Sequence, residues 1–194
     1  MIDLQIDSIS PFPADQLTVS YEVFHQTADS SRVLAIAAPR KTVDELGELF
    51  KAHHVYIRSL DSELLAWWTI GSRYDSEFPR EGSGRVLLIL EEHTEFSMAV
   101  TDDGVPVTVR SLELFHDLAD EKTQDEIVDD IGYTLLSLEA EYGSRPVERI
   151  LFGSEKEIPP ALAEKIATRF GVPVEPRDLK QFPPLTEGLA RRSL

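Results

Sequence analysis

The sequence of 194 residues predicts an α/β protein in two parts, the second built on a mixed sheet. Three observations predict this. Between Gly84 and Leu112, three short runs with strand periodicity are joined by tight connections, as in an antiparallel meander. After them, amphipathic helical stretches alternate with short apolar runs, the pattern that connects parallel strands. Before them lies a smaller strand–helix pattern, set apart by the polar, turn-rich stretch Tyr74–Ser83. The predicted domains are therefore a small α/β subdomain with a linking helix over 1–75, and a larger α/β subdomain over 84–194.

The first part begins ambiguously. Ile2, Leu4, Ile6 and Ile9 fit a strand or a short helix, and Pro11-Phe12-Pro13 stops any helix. Leu17–His25 alternates and carries Val, Tyr and Phe, which predicts a strand. Arg32–Ala38 is apolar on both faces, which predicts a central strand, ended by Pro39. Thr42 is a candidate N-cap with Glu45 as capping-box partner. The helix from Val43 to about His53 is expected to bury Val43, Leu46, Leu49 and Phe50, and Val55–Ile57 to form a short strand after it. Asp61 or Ser62 caps a helix from Glu63 to about Arg73, rich in Leu and Trp. Trp67 and Trp68 point about 100° apart on a helix, so one is expected in the core and one at a junction or docking surface.

In the second part, Val86–Leu90 is long enough for one buried strand. Phe96, Met98 and Val100 alternate, as do Val105, Val107 and Val109. Asp102-Asp103-Gly104 between them is a turn, because Asp tolerates and Gly favours positive φ. Asp125–Tyr142 carries Ile127, Ile131, Leu135, Leu138 and Tyr142 at steps of three or four, with Gly143 just past its end. Val147–Phe152 reads as a strand, Ala161–Phe170 as a helix ended by Gly171, and Val172–Pro176 as a proline-blunted edge strand. A last short helix is expected around residues 185–192. The order β-β-β-α-β-α-β is ribonuclease-H-like.

Composition bounds the partners. Hydrophobic content of 42% and charged content of 28% are ordinary for a globular protein, whereas the net charge of −16 is not. That charge argues against nucleic acid and anionic membrane surfaces, which want Lys and Arg. There is no cysteine, so disulfides and thiolate metal sites are excluded. The opening MIDLQIDSIS lacks the features of a signal peptide, and no run reaches the ~20 apolar residues of a membrane span. A cytoplasmic protein is expected, recruited to the inner-membrane face by a partner if at all.

No pattern reads as an active site. Glu91, Glu92, His93 and Glu95 could ligate a metal, but a solvated charged loop between strands explains them better. His53 and His54 at a helix end are more simply partners of its dipole. The G-x-S-x-G elbow, the phosphate loop ending in G-K-[ST] and the dinucleotide-binding G-x-G-x-x-G are all absent. From Glu91 to Glu141 the only Lys or Arg are Arg110 and Lys122. This acidic tract reads as a solvated face or as a docking face for a basic segment, with Asp125, Glu126, Asp129 and Asp130 on the long helix.

The order and spacing resemble the PilM family of type IV pilus assembly, proteins with the actin-like ATPase fold; the cytoplasmic domain of GspL in type II secretion is a related possibility. ISPFPADQLTVSYEVF resembles the opening of the family's inserted subdomain 1C, and VLAIAAPRKTVDELGELFKAHHVYIRSLD its strand, helix and strand. DEIVDDIGYTLLSLEAEYG resembles the long helix of subdomain 2A, and ERILFGSEKEIPPALAEKIATRFGVPVEP the strand, turn, helix and strand after that helix. ATP-binding members use three Gly-rich or acidic turns. The first has no counterpart here. At the second, aligned on Thr94 and Phe96, Leu88 stands at the Asp position and Leu90 at the Gly position; the third reads Gly153-Ser154. Subdomain 2B shrinks to Phe115–Gln124.

The resemblance therefore implies a reduced actin-like ATPase fold without enzymatic activity, with no cofactor and no metal. It implies a scaffold that binds the cytoplasmic tail of an inner-membrane pilus or secretion protein, with a homodimer possible. The docking candidates are Tyr21, Val23, Leu46, Leu49, Phe50 and Trp68. The alternative is an ATP- and Mg-binding protein completed by a partner chain or by further N-terminal sequence.

Overall fold

The computed structural model describes residues 10–29, 31–57, 62–92, 95–113 and 117–183. The chain divides into two compact units at Ser62/Glu63. The expected elements in residues 2–9 and 185–192, and the candidate cap Asp61, lie outside the described residues.

The first unit holds a 3₁₀ turn at Ala14–Gln16, strands β1 (Leu17–Gln26) and β2 (Ser31–Pro39), and helix α1 (Arg40–Ala52). β1 and β2 pair antiparallel as a two-stranded ribbon, with a bulge between Val23 and His25. Among the described residues β2 pairs with β1 alone instead of lying between two strands, and its apolar residues on both faces stay half-buried or exposed. Helix α1 begins at Arg40, two residues before the expected cap, so Thr42 lies inside it and no side chain caps its N-terminus. Proline at the boundary ends the strand and leaves α1 free to start at once. Val55–Ile57 forms no strand and is exposed. His54 instead takes φ of 60°, the left-handed conformation that ends helices, and Val55 N donates to Phe50 O at 3.0 Å.

The second unit begins with helix α2 (Glu63–Tyr74), followed by strands β3 (Arg85–Glu92), β4 (Glu95–Asp102) and β5 (Val105–Glu113). Helix α3 (Glu121–Tyr142), strand β6 (Arg149–Ser154), helix α4 (Pro160–Phe170) and strand β7 (Val174–Asp178) complete it. The sheet order is β5-β4-β3-β6-β7, with β3–β6 and β6–β7 parallel and the meander antiparallel. Asp103 and Gly104 both take positive φ, 50° and 77°, in the turn before β5. Only residues 114–120 join β5 to α3, whose N-cap Asp120 accepts from Thr123 N at 2.9 Å.

Alternation along β3 sends its residues to two cores. Leu87 and Ile89 join Phe96, Met98, Ile150 and Phe152 under α3 and α4, where Ile127, Ile131, Leu162 and Ile166 close the layer. Val86 and Leu88 face the other way, onto Leu64 of α2 with Ala99 and Leu151. Sequence reading joined this helix to residues 1–62 as a linker; its packing is with the five-stranded sheet. Trp67 is buried, and half-buried Trp68 meets Phe78 edge to face at 5.0 Å.

Candidate functional site

Open α/β sheets take ligands at the carboxyl ends of their parallel strands. Those ends are Glu91, Ser154 and Asp178, which register pairs as Glu91 with Ser154 and Ser154 with Asp178. Glu91 is 4% exposed. Its Oε2 accepts from Ser154 Oγ at 2.5 Å, and Lys156 Nζ stands 3.9 Å from Oε1. Lys156 N donates back to Ser154 Oγ at 2.9 Å. Glu91 is therefore no solvated loop residue. It continues the alternation of Leu87 and Ile89 into the core, a signal the sequence already carried. Of the rest of that cluster, His93 lies outside the described residues. Among the described residues, no group of three or more His, Asp or Glu could hold a metal ion.

On the α2 side of the same strand ends lies an apolar cleft lined by Trp67, Trp68, Phe78, Leu90, Leu179 and Phe182. Its free volume is about 40 Å³, the scale of a few water molecules. Leu88 sits four residues before the end of β3 and is 7% exposed. Leu90 packs beside Trp67, Ile70 and Leu179. A Cβ on Gly153 would meet Leu90 Cδ2 at 2.7 Å and Leu179 Cδ2 at 2.9 Å, so this glycine makes room for leucines.

Charged networks fix the rim and the opposite end. Arg149 pairs with both carboxylate oxygens of Glu175, at 2.9 and 2.6 Å, and Arg177 adds 3.1 Å to Glu175 and 2.8 Å to Asp75. The Arg149 hydrogen bonds hold the Glu175 carboxyl below its ordinary pKa, against a smaller opposing effect of burial. At the start of β3, Arg85 is 1% exposed and grips Asp102 at 2.8 and 3.0 Å while donating to Arg145 O at 3.0 Å. That hydrogen bonding to Asp102 raises the Arg85 pKa despite burial.

The expected docking residues fall into both units. Tyr21 and Val23 lie on β1 opposite Ala35 and Val33, and both are exposed. Leu46 is half-buried on α1. Leu49 and Phe50, expected to be buried, are exposed: the two strands described in this unit offer α1 too little surface to cover its whole stripe. Trp68 belongs to the second unit, in the layer under α2. Of the acidic tract, Asp125 pairs with Lys165 at 2.6 Å and Asp130 with Arg110 at 3.3 Å. Sequence reading missed the buried Arg85–Asp102 pair altogether.

Among the described residues, no helix is long and apolar enough to cross a membrane. No protein-family model matches the sequence, and no curated protein matches it. Solved structures do. A chain of a PilM–PilN type IV pilus biogenesis complex superposes with a TM-score of 0.69 at 18% identity, covering 99% of this chain and 70% of that one. A Bacteroides thetaiotaomicron protein with an actin-like ATPase fold and unknown function is also similar, with TM-score 0.56 and 12% identity, covering 97% of this chain and 63% of the other. The chain therefore has the actin-like ATPase fold, shorter here than in either neighbour, with the mixed sheet of β3–β7 as its larger unit.

Proposed function

We propose that this protein is a non-enzymatic scaffold of a type IV pilus or type II secretion inner-membrane platform, binding the cytoplasmic tail of a membrane protein. The observation that carries this reading is the pair of leucines on β3. Where the resemblance asks for an aspartate and a glycine, Leu88 and Leu90 fill the layer beneath α2. A Mg-nucleotide needs an acid for its metal shell and bare backbone for its phosphates; a branched side chain supplies neither. The apolar cleft beside them, about 40 Å³, is far smaller than the roughly 300 Å³ of ligand pockets; a larger cavity of about 810 Å³ lies next to it, at Tyr74, Arg177, Asp178 and Gln181. The likeness to a chain of a PilM–PilN complex supports the pilus setting. Exposed Tyr21, Val23, Leu49 and Phe50 give the tail an apolar surface in the first unit.

Glu91 favours a second reading. It is a buried acid at the end of β3, hydrogen-bonded to Ser154 at the end of β6. A partner chain adding phosphate-binding backbone there would complete a nucleotide site. Calorimetric titration of this chain with Mg-ATP tests the scaffold reading: no heat up to millimolar nucleotide is expected, and micromolar binding would overturn it. Binding of the cytoplasmic tail peptides of candidate membrane partners, lost in Phe50→Glu and Tyr21→Glu, is the positive result; tails that bind both variants as well as wild type argue against this surface.

A further inference from the structure

The outer face of α3 takes no part in the strand-end site. Tyr133 is 66% exposed and Leu136 59% exposed. On a helix they point within about 60° of each other, with Ala140 one turn on, so they form one apolar strip. Acids surround it. Asp129 lies one turn before Tyr133 and makes no ion pair or hydrogen bond among the described residues; neither does Glu141 near the helix end. Among the described residues Glu126 has only an exposed i,i+4 contact with Lys122 at 3.3 Å. Lys165 serves Asp125 and Glu121, toward the N-terminal end and away from the strip. Arg110 is turned to Asp130 and Thr134 on the flank of α3 that faces β5.

We propose that this face docks a basic protein segment with two apolar anchors, one over Tyr133 and Leu136, flanked by Lys or Arg set against Asp129, Glu126 and Glu141. Charge decides the occupant. Covering Tyr133 and Leu136 strips water from the neighbouring carboxylates, and only a cationic rim offsets that loss. A nucleic acid or an anionic membrane would be repelled by the same acids. A second copy of the face would bring acid against acid.

The test uses the whole chain and an 18-residue helical peptide of Leu and Lys with the leucines on one face. Its control has the same composition with the leucines scattered. Fluorescence anisotropy at about 150 mM salt, where long-range attraction is largely screened, reads the affinity. The amphipathic peptide is expected to bind at least tenfold tighter than its control. Leu136→Ser and Asp129→Lys should each weaken binding about tenfold with unchanged circular dichroism. Hydrogen exchange should show protection confined to residues 126–142. Equal binding of both peptides, indifference to either substitution, protection elsewhere, or binding to phosphatidylcholine vesicles that Leu136→Ser abolishes would each overturn the proposal. None of these results bears on the tail-binding surface of the first unit, so the two readings fail separately.

Discussion

Leu88→Asp asks whether Leu88 is a core residue or the wall of an open ligand cleft. Leu88 packs with Leu64, Val86, Ala99 and Leu151. Truncation to Ala forfeits the transfer free energy of a buried leucine and leaves a cavity, together about 2–5 kcal/mol. The cleft alongside allows some collapse, so about 2–3 kcal/mol is expected for Leu88→Ala. Aspartate adds a carboxylate among apolar side chains, and burial drives it to hold its proton. A rise of about two pH units above its ordinary value near 3.9 adds about 2.7 kcal/mol at neutral pH. The total, about 5 kcal/mol, approaches the whole stability of many domains. The folded form then binds the proton more tightly than the unfolded chain. The deficit is therefore smallest below about pH 4 and grows as pH rises through the raised folded value. Urea denaturation followed by far-ultraviolet circular dichroism at pH 5 and pH 7.5, with Leu88→Ala as reference, measures it. A Leu88→Asp protein within about 1 kcal/mol of wild type at both pH values refutes the reasoning, since the side chain would then reach water.

Three further outcomes are expected from the same structure. Arg85→Met removes the guanidinium from a buried pair and takes from Asp102 its 2.8 Å partner, with Arg145 standing 3.8 Å away; a loss of about 3 kcal/mol is expected, read as a lower denaturation midpoint. Glu175 has its pKa lowered by Arg149, so its contribution is complete above about pH 4.5 and disappears as pH falls through the depressed value. A Glu175→Gln variant should therefore show a flatter stability profile than wild type in that acid range, and a parallel profile would contradict the assignment. His54→Gly relieves the left-handed backbone at the end of α1 and should stabilise the first unit by roughly 0.5–1 kcal/mol, seen as slower hydrogen exchange in residues 40–52.

The second unit was legible because its signals are local and agree. Val105, Val107 and Val109 alternate, Asp103-Gly104 demands the turn that forms, and Ile127, Ile131 and Leu138 step along one helical face onto the sheet. The first unit was less so. Arg32–Ala38 looks central because it is apolar on both faces, but strand number is a tertiary fact, and among the described residues only β1 pairs with it. Thr42 and Glu45 make a plausible cap, yet Pro39 already fixes the backbone for helix entry and the chain turns there. At the strand ends, acidic neighbours hid Glu91: four polar residues together suggest a solvated loop, while the alternation from Leu87 places one of them inside. Arg85 escaped notice for another reason. Its partner Asp102 is seventeen residues away across the β3–β4 hairpin, and no sequence pattern announces such a pair.

The five-stranded sheet ends in two unlike borders. β7 is five residues long with Pro176 in its middle, while β5 runs nine residues and carries Pro106 only at its second position. An extended chain meeting this sheet would find a continuous ladder of donors and acceptors from Thr108 to Glu113, and an interrupted one at the far side. Lateral growth by strand addition is thereby one-sided. Two molecules joined border to border through β5 would close on each other about a twofold axis and leave only the short, broken margins outward, so such contact ends in a pair instead of a fibre.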